Sequence, residues 1–239
     1  MTTSPATSPA TSPATSPDTD LGTGRGRGPD RLTADPRPAL ELAMDQVAAR
    51  VAALTPADLG RPTPCPEFDV AALVGHLIAV QRRVAHVATG GRPFDVPSTV
   101  TDVPAADLST VLAADRAAVS RVLADDDVLD RVFLVPWGEV PGRDALLGYV
   151  REFAAHAWDL AAATGTTASL DPVPAQVALP GAIRFLPAQP RGGPIPFGPV
   201  VDVPADAGAY DRLVGWLGRD PAAWRRPAPA GGRVSEGVR

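Results

Sequence analysis

The chain has 239 residues, enough for one large domain or two small ones, and its 45% hydrophobic content supports a buried core. Only 5% of the residues are aromatic, so that core is built from Ala, Val and Leu; all 22 basic residues are Arg. A formal charge of −5 argues against a nucleic-acid surface, and the single cysteine, Cys65, excludes an internal disulfide and a thiolate metal cluster. With no secretory leader pattern and no apolar run of membrane-spanning length, the sequence predicts a soluble cytoplasmic protein without nucleic-acid or membrane partners.

The opening T-S-P-A repeat and the Gly/Arg stretch after it offer little apolar material to offset ordering entropy, so residues 1–37 are expected to be a disordered tail. A first helix follows, with Leu40, Met44, Val47 and Val51 on one stripe, and four prolines in "TPADLGRPTPCPEF" end the pattern. Asp69 is the expected N-cap of a second helix, whose stripe is Leu73, Leu77, Val80, Val84 and Val87. A crossover over about 92–104 leads to a third helix, with Leu108, Leu112 and Val119 inward, which stops near the acidic "ADDD". "RVFLVPWGEVPG" reads as a short extended turn region. The fourth helix runs from about Arg143 to Thr164, with Leu146, Val150, Phe153, Ala157 and Leu160 inward and Gly165 as its stop.

Four amphipathic helices with a long second-to-third connection predict an all-α four-helix bundle over 38–168. Residues 169–226 are expected to form a small mixed appendage packed on the bundle. In it, Pro180-Gly181 should break a helix begun at Asp171-Pro172, "FGPVVDVPAD" reads as extended, and "GAYDRLVGWLG" is a last short helix. Residues 227–239 are expected to be a second disordered tail.

There are three histidines. On the second helix His76 falls about 60° from the centre of the buried stripe and His86 about 140°, toward solvent. On the fourth, His156 lies about 60° and Glu152 about 100° from Phe153, with Asp159 further out at about 120° and Trp158 turned away. His76, Glu152 and His156 therefore flank buried stripes on two different helices, the arrangement in which a bundle holds a metal between facing helices. Imidazole and carboxylate suit a divalent ion, zinc first, with nickel, manganese or iron also matching, and three ligands leave a position open. An i,i+4 Glu–His pair also occurs as a simple surface ion pair, and geometry alone leaves both readings standing.

"PTPCPEFDVAALVGHL", "AAHAWDLAAATG" and "FGPVVDVPADAGAYDRLVGWLGRDPAAW" resemble, in that order, the actinobacterial metal-binding proteins related to mycothiol-dependent maleylpyruvate isomerase, within the DinB/YfiT-like superfamily. The resemblance covers about residues 38–226 and implies a DinB-like four-helix bundle. It implies a divalent metal held by a second-helix His and a carboxylate-x-x-x-His pair on the last helix, which map to His76, Glu152 and His156. Phe68 replaces a usual Trp, Gly75 a usual Asn and Trp137 a common Phe, and none of these changes removes a ligand. The implied activity is thiol transfer or thiol-assisted isomerisation with mycothiol as co-substrate, by a monomer or homodimer acting on a small molecule. A non-catalytic metal sensor or interaction module is the alternative. Asp159 is placed to orient His156, and Arg83, two turns along the His76 flank, to receive a carboxylate of thiol or substrate. Cys65 sits in the loop that positions the second helix.

Overall fold

The computed structural model describes residues 33–193 and 197–225. The expected disordered tails fall largely on residues 1–32 and 226–239, outside the described residues. The protein is mostly helical: α1 (Arg37–Ala52), α2 (Val70–Ala88), α3 (Leu108–Val122), α4 (Gly142–Thr164), α5 (Val173–Phe185), α6 (Ala209–Trp216) and α7 (Pro221–Trp224). A hairpin of β1 (Val132–Val135) and β2 (Gly138–Pro141) precedes α4, paired antiparallel from Val132–Pro141 to Val135–Gly138. None of the described helices is long and apolar enough to cross a membrane.

Each boundary has a local cause. Asp69 caps α2 by accepting the Ala72 N–H at 2.8 Å, as its position before the apolar stripe predicts. Gly165 ends α4 in the left-handed region at φ 72°, where a side chain would be strained. Ordered structure begins before residue 38, because the Arg37 guanidinium bonds Asp35, the Asp126 carboxylate and the Leu123 carbonyl, tying the start of α1 to the end of α3.

Helix α1 packs on α4 and α3, and α2 packs on α3 and α4, while α5 and α6 cover α4 from the C-terminal side. Helix α4 is thus the centre of the molecule, and every residue from Phe153 to Ala163 is buried. The sequence predicts one apolar stripe with a solvent face; the structure has none over this stretch. The alanines of "FAAHAWDLAAAT" explain the difference: their short side chains let neighbouring helices approach on all sides. Full burial of Leu146, Phe153, Leu160 and their like contributes about 1.5–3 kcal/mol each.

Pro180 does not break its helix as the sequence predicts: α5 runs from Val173 through it to Phe185. Pro180 and Gln176, the residue whose carbonyl loses its donor, are both exposed, so water can satisfy that carbonyl. Burial of Val177, Ala178, Leu179 and Ala182 on the other side holds the helix together. The 197–207 segment forms no strand, although the Val201 N–H bonds the Gly215 carbonyl.

The α2–α3 crossover is seated by Gly75. A Cβ there would stand 2.1 Å from the Val100 carbonyl oxygen, and the Val100 N–H bonds the Gly75 carbonyl at 3.1 Å. Gly75→Ala should therefore push the crossover off α2 and cost about 1–3 kcal/mol. Urea unfolding of the two proteins at one pH checks this; an unchanged midpoint would contradict the close approach.

Candidate metal centre

About two turns after its Asp69 cap, α2 presents His76 toward α4. His76 Nδ1 lies 2.8 Å from the Ser98 carbonyl oxygen, which can only accept, so Nδ1 carries the proton. The ring stacks on Phe68, with centroids 5.0 Å apart. Its other nitrogen, Nε2, points at Glu152 Oε1 at 3.0 Å. On α4, His156 repeats the pattern: Nδ1 meets Asp159 Oδ2 at 2.9 Å while Nε2 faces the same Glu152 oxygen at 3.6 Å. The two rings meet edge-on at 5.1 Å.

With each Nδ1–H given to an acceptor, both Nε2 atoms are bare in the neutral rings. Two nitrogen lone pairs and a carboxylate oxygen then converge, an arrangement that demands positive charge between them. In the ion-free chain a proton on His156 supplies it. Burial opposes charge on Glu152, but hydrogen bonds from His156 and His76 overcome that and hold its carboxyl well below the usual range. Burial likewise opposes a charged His156, yet hydrogen bonds to Asp159 and Glu152 raise its pKa from 6.5 to about 9. A divalent cation satisfies the same atoms without protons. Ligands at ~2.0–2.1 Å in a tetrahedron lie about 3.4 Å from one another. The 3.0 and 3.6 Å separations straddle that value, and all three ligand atoms fall within 4.8 Å of one another. The residues present fit the group.

Asp159 and His156 also lie near Cys65, close enough that these three form a second cluster of metal-ligand types. The acid of that cluster is engaged at both oxygens: Arg219 Nε bonds Asp159 Oδ1 at 2.7 Å, and its terminal nitrogen and His156 share Oδ2. Burial, with Asp159 nearby, pushes the half-buried Cys65 thiol up, which disfavours the thiolate a metal needs.

His76, Glu152 and His156 are brought together, and Asp159 is the neighbour of His156. Asp159 is fully buried, not a surface acid as its helix angle allows, because Arg219 from just after α6 reaches it; Arg219 opposes burial most strongly in lowering its carboxyl. Arg83, expected to receive a carboxylate of thiol or substrate, is engaged with the crossover. Its Nε bonds the Pro93 carbonyl and one terminal nitrogen bonds those of Val96 and Pro97, so it straps the crossover just before Ser98. His86 stands apart, 3.4 Å from Asp95, and Trp158 is core.

Sequence reasoning missed Arg219, Ser98 and Tyr149. Tyr149, one turn before Glu152, keeps a buried hydroxyl with no partner among the described residues. For Arg219 the available signal was Asp159 itself: a carboxylate beside an inward-facing helix needs a cation, and "LGRD" supplies one.

This is a mostly helical protein whose central helices converge two imidazoles and a carboxylate on one point. Residues 40–161 match the mycothiol maleylpyruvate isomerase N-terminal domain, and the chain belongs to that family. An uncharacterized protein of Mycobacterium tuberculosis, found in two strains, is 32% identical over 185 residues, 77% of this chain and 98% of the relative. The crystal structure of the mycothiol-dependent maleylpyruvate isomerase is similar at a TM-score of 0.49 and 14% identity, covering 65% of this chain and 69% of that one.

Two outcomes are expected. Because the folded pKa of His156 lies above its ordinary 6.5, the stability its proton contributes is fully present below pH 6.5 and is lost as pH rises through about 9. Metal-free protein should lose stability to urea across that window, and saturating zinc should remove the fall; a flat metal-free profile would contradict the bare-Nε2 geometry. Asp159→Asn leaves the Arg219 guanidinium, 11% exposed, without its countercharge and should cost about 3–5 kcal/mol in urea unfolding.

Proposed function

We propose that the chain is a metal-dependent enzyme of thiol transfer or thiol-assisted isomerisation, using a mycothiol-type thiol. In this reading α1–α4 form a DinB-like four-helix bundle, and His76, Glu152 and His156 hold one divalent cation, zinc first. The observation that carries it is the convergence of two anchored imidazoles on a carboxylate whose side chain remains 32% exposed, so that a small molecule can reach the cluster from the Glu152 side. Family membership supplies the chemical class, a low-molecular-weight thiol.

A cation held there would lower the pKa of a thiol brought to it. The chain's own residues prepare that step. The Ser98 carbonyl and Asp159 hold the protons on the Nδ1 atoms, which fixes the ring orientations and makes both Nε2 atoms donors of electron pairs. Phe68 keeps the His76 ring plane, and Arg83 fixes the crossover that carries Ser98. Burial keeps the Tyr149 hydroxyl neutral by raising its pKa, so it can donate to a group entering beside Glu152.

Cobalt(II)-substituted protein tests the reading. One ion per chain with a tetrahedral absorption envelope is expected, followed by a thiolate-to-cobalt charge-transfer band when a small thiol is added. His76→Ala and His156→Ala should lose the ion while keeping their helical circular dichroism. Full metal content in either variant would overturn the ligand assignment; ion binding without a thiol band would overturn the thiol chemistry.

A further inference from the structure

Arg151 lies about 100° around α4 from Glu152 and faces a different opening. There, between α4, the hairpin and α5, is a cleft of about 310 Å³, within the ~300–1,000 Å³ range of small-molecule sites. Its walls are Trp137, Leu147, Val177, Phe185 and Leu186. Two of these aromatics stay well exposed, Trp137 at 48% and Phe185 at 58%, in a chain with few aromatics to spare. Gly148 lets the indole lie against the helix backbone, since a Cβ there would come within 2.4 Å of the ring. Beside Gly181, on the opposite wall, a Cβ would meet nothing within 4 Å, so the space is open.

Arg151 lines this apolar cleft, its guanidinium 5.8 Å from the Trp137 ring centre; it makes no hydrogen bond or ion pair to a carboxylate or carbonyl among the described residues, and the neighbouring Glu152 acts on it only through space. Elsewhere Arg37, Arg82, Arg116 and Arg219 each close on a carboxylate. We infer that the cleft is a binding site for an apolar carboxylate, an aryl- or alkyl-chain acid whose anionic end pairs with Arg151 and whose hydrocarbon lies between Trp137 and Phe185. Planar guanidinium and carboxylate match two bonds to two oxygens. Asp144, which also lines the cleft about 10 Å back along α4, sets the direction: the acid group avoids that end, and the apolar body spans the interval. The site stands independently of the metal function proposed above.

Calorimetric titration of the full chain with 4-phenylbutyrate, and with the neutral 4-phenylbutan-1-ol, tests it in metal-loaded and metal-stripped protein. The acid should bind saturably in both states and at least tenfold more tightly than the alcohol. Arg151→Met should erase that advantage, and Gly181→Leu, which fills the open space, should abolish binding of the acid; circular dichroism confirms that both variants fold. Equal binding of acid and alcohol, undiminished acid binding in Arg151→Met, or no binding at millimolar concentration would overturn the site. Binding that disappears when metal is stripped would place the acid on the histidine cluster and also overturn it.

Discussion

The Asp159 carboxylate is the constraint on which the rest depends. A buried charge costs several kcal/mol unless it is paired and hydrogen-bonded, and Asp159 is fully buried. Both its oxygens are engaged: Oδ1 by Arg219, Oδ2 by Arg219 and by His156. One side chain therefore performs two tasks. It pins the segment just after α6 to the C-terminal third of α4, and it fixes the tautomer and tilt of His156. The C-terminal segment and the cluster cannot be placed independently of each other; displacing Arg219 leaves an unpaired anion beside the imidazole.

The same coupling explains the make-up of α4. A helix packed on by α1, α2, α5 and α6 has no room for large side chains on every face, and the alanine run meets that demand. Polar residues interrupt that run at Arg151, Glu152, His156 and Asp159, and the last two are buried. Glu152 opens toward the cluster and Arg151 toward the apolar cleft, while Asp159 is sealed. Close helix packing and a polar centre are thus one design, in which small residues make the walls and the few polar ones define the openings.

The periodicity of the apolar residues was enough to place α1 to α4 and the Asp69 cap, because those signals are local. His76, Glu152 and His156 were legible too, since helical angle alone sets them beside buried stripes on two helices. What the sequence could not carry was anything decided by a distant segment. Asp159 reads as the neighbour that orients His156, but its complete burial depends on Arg219, 60 positions away. Arg83 reads as a ligand-seeking cation until the crossover carbonyls close on it, and Pro180 reads as a helix end until the packed face of α5 outweighs its lost hydrogen bond. Each difference arises where a tertiary contact overrides a local preference.

Charge accounting connects these contacts to the proposed chemistry. Asp159 and Arg219 cancel, and the two imidazoles are neutral when Nε2 is bare, so Glu152 leaves the cluster with a single negative charge. A divalent cation would reverse that to a single positive charge in a site shielded on the His156 side and open on the Glu152 side. A partly buried site of that sign favours an anionic fourth partner, since a neutral sum avoids the desolvation penalty of net charge. A thiol meets the condition by giving up its proton on entry, whereas a neutral ligand such as an alcohol would leave the charge uncompensated. In the proposed reading, the charge count that Asp159 and Arg219 leave thus favours a bound thiolate over a neutral thiol.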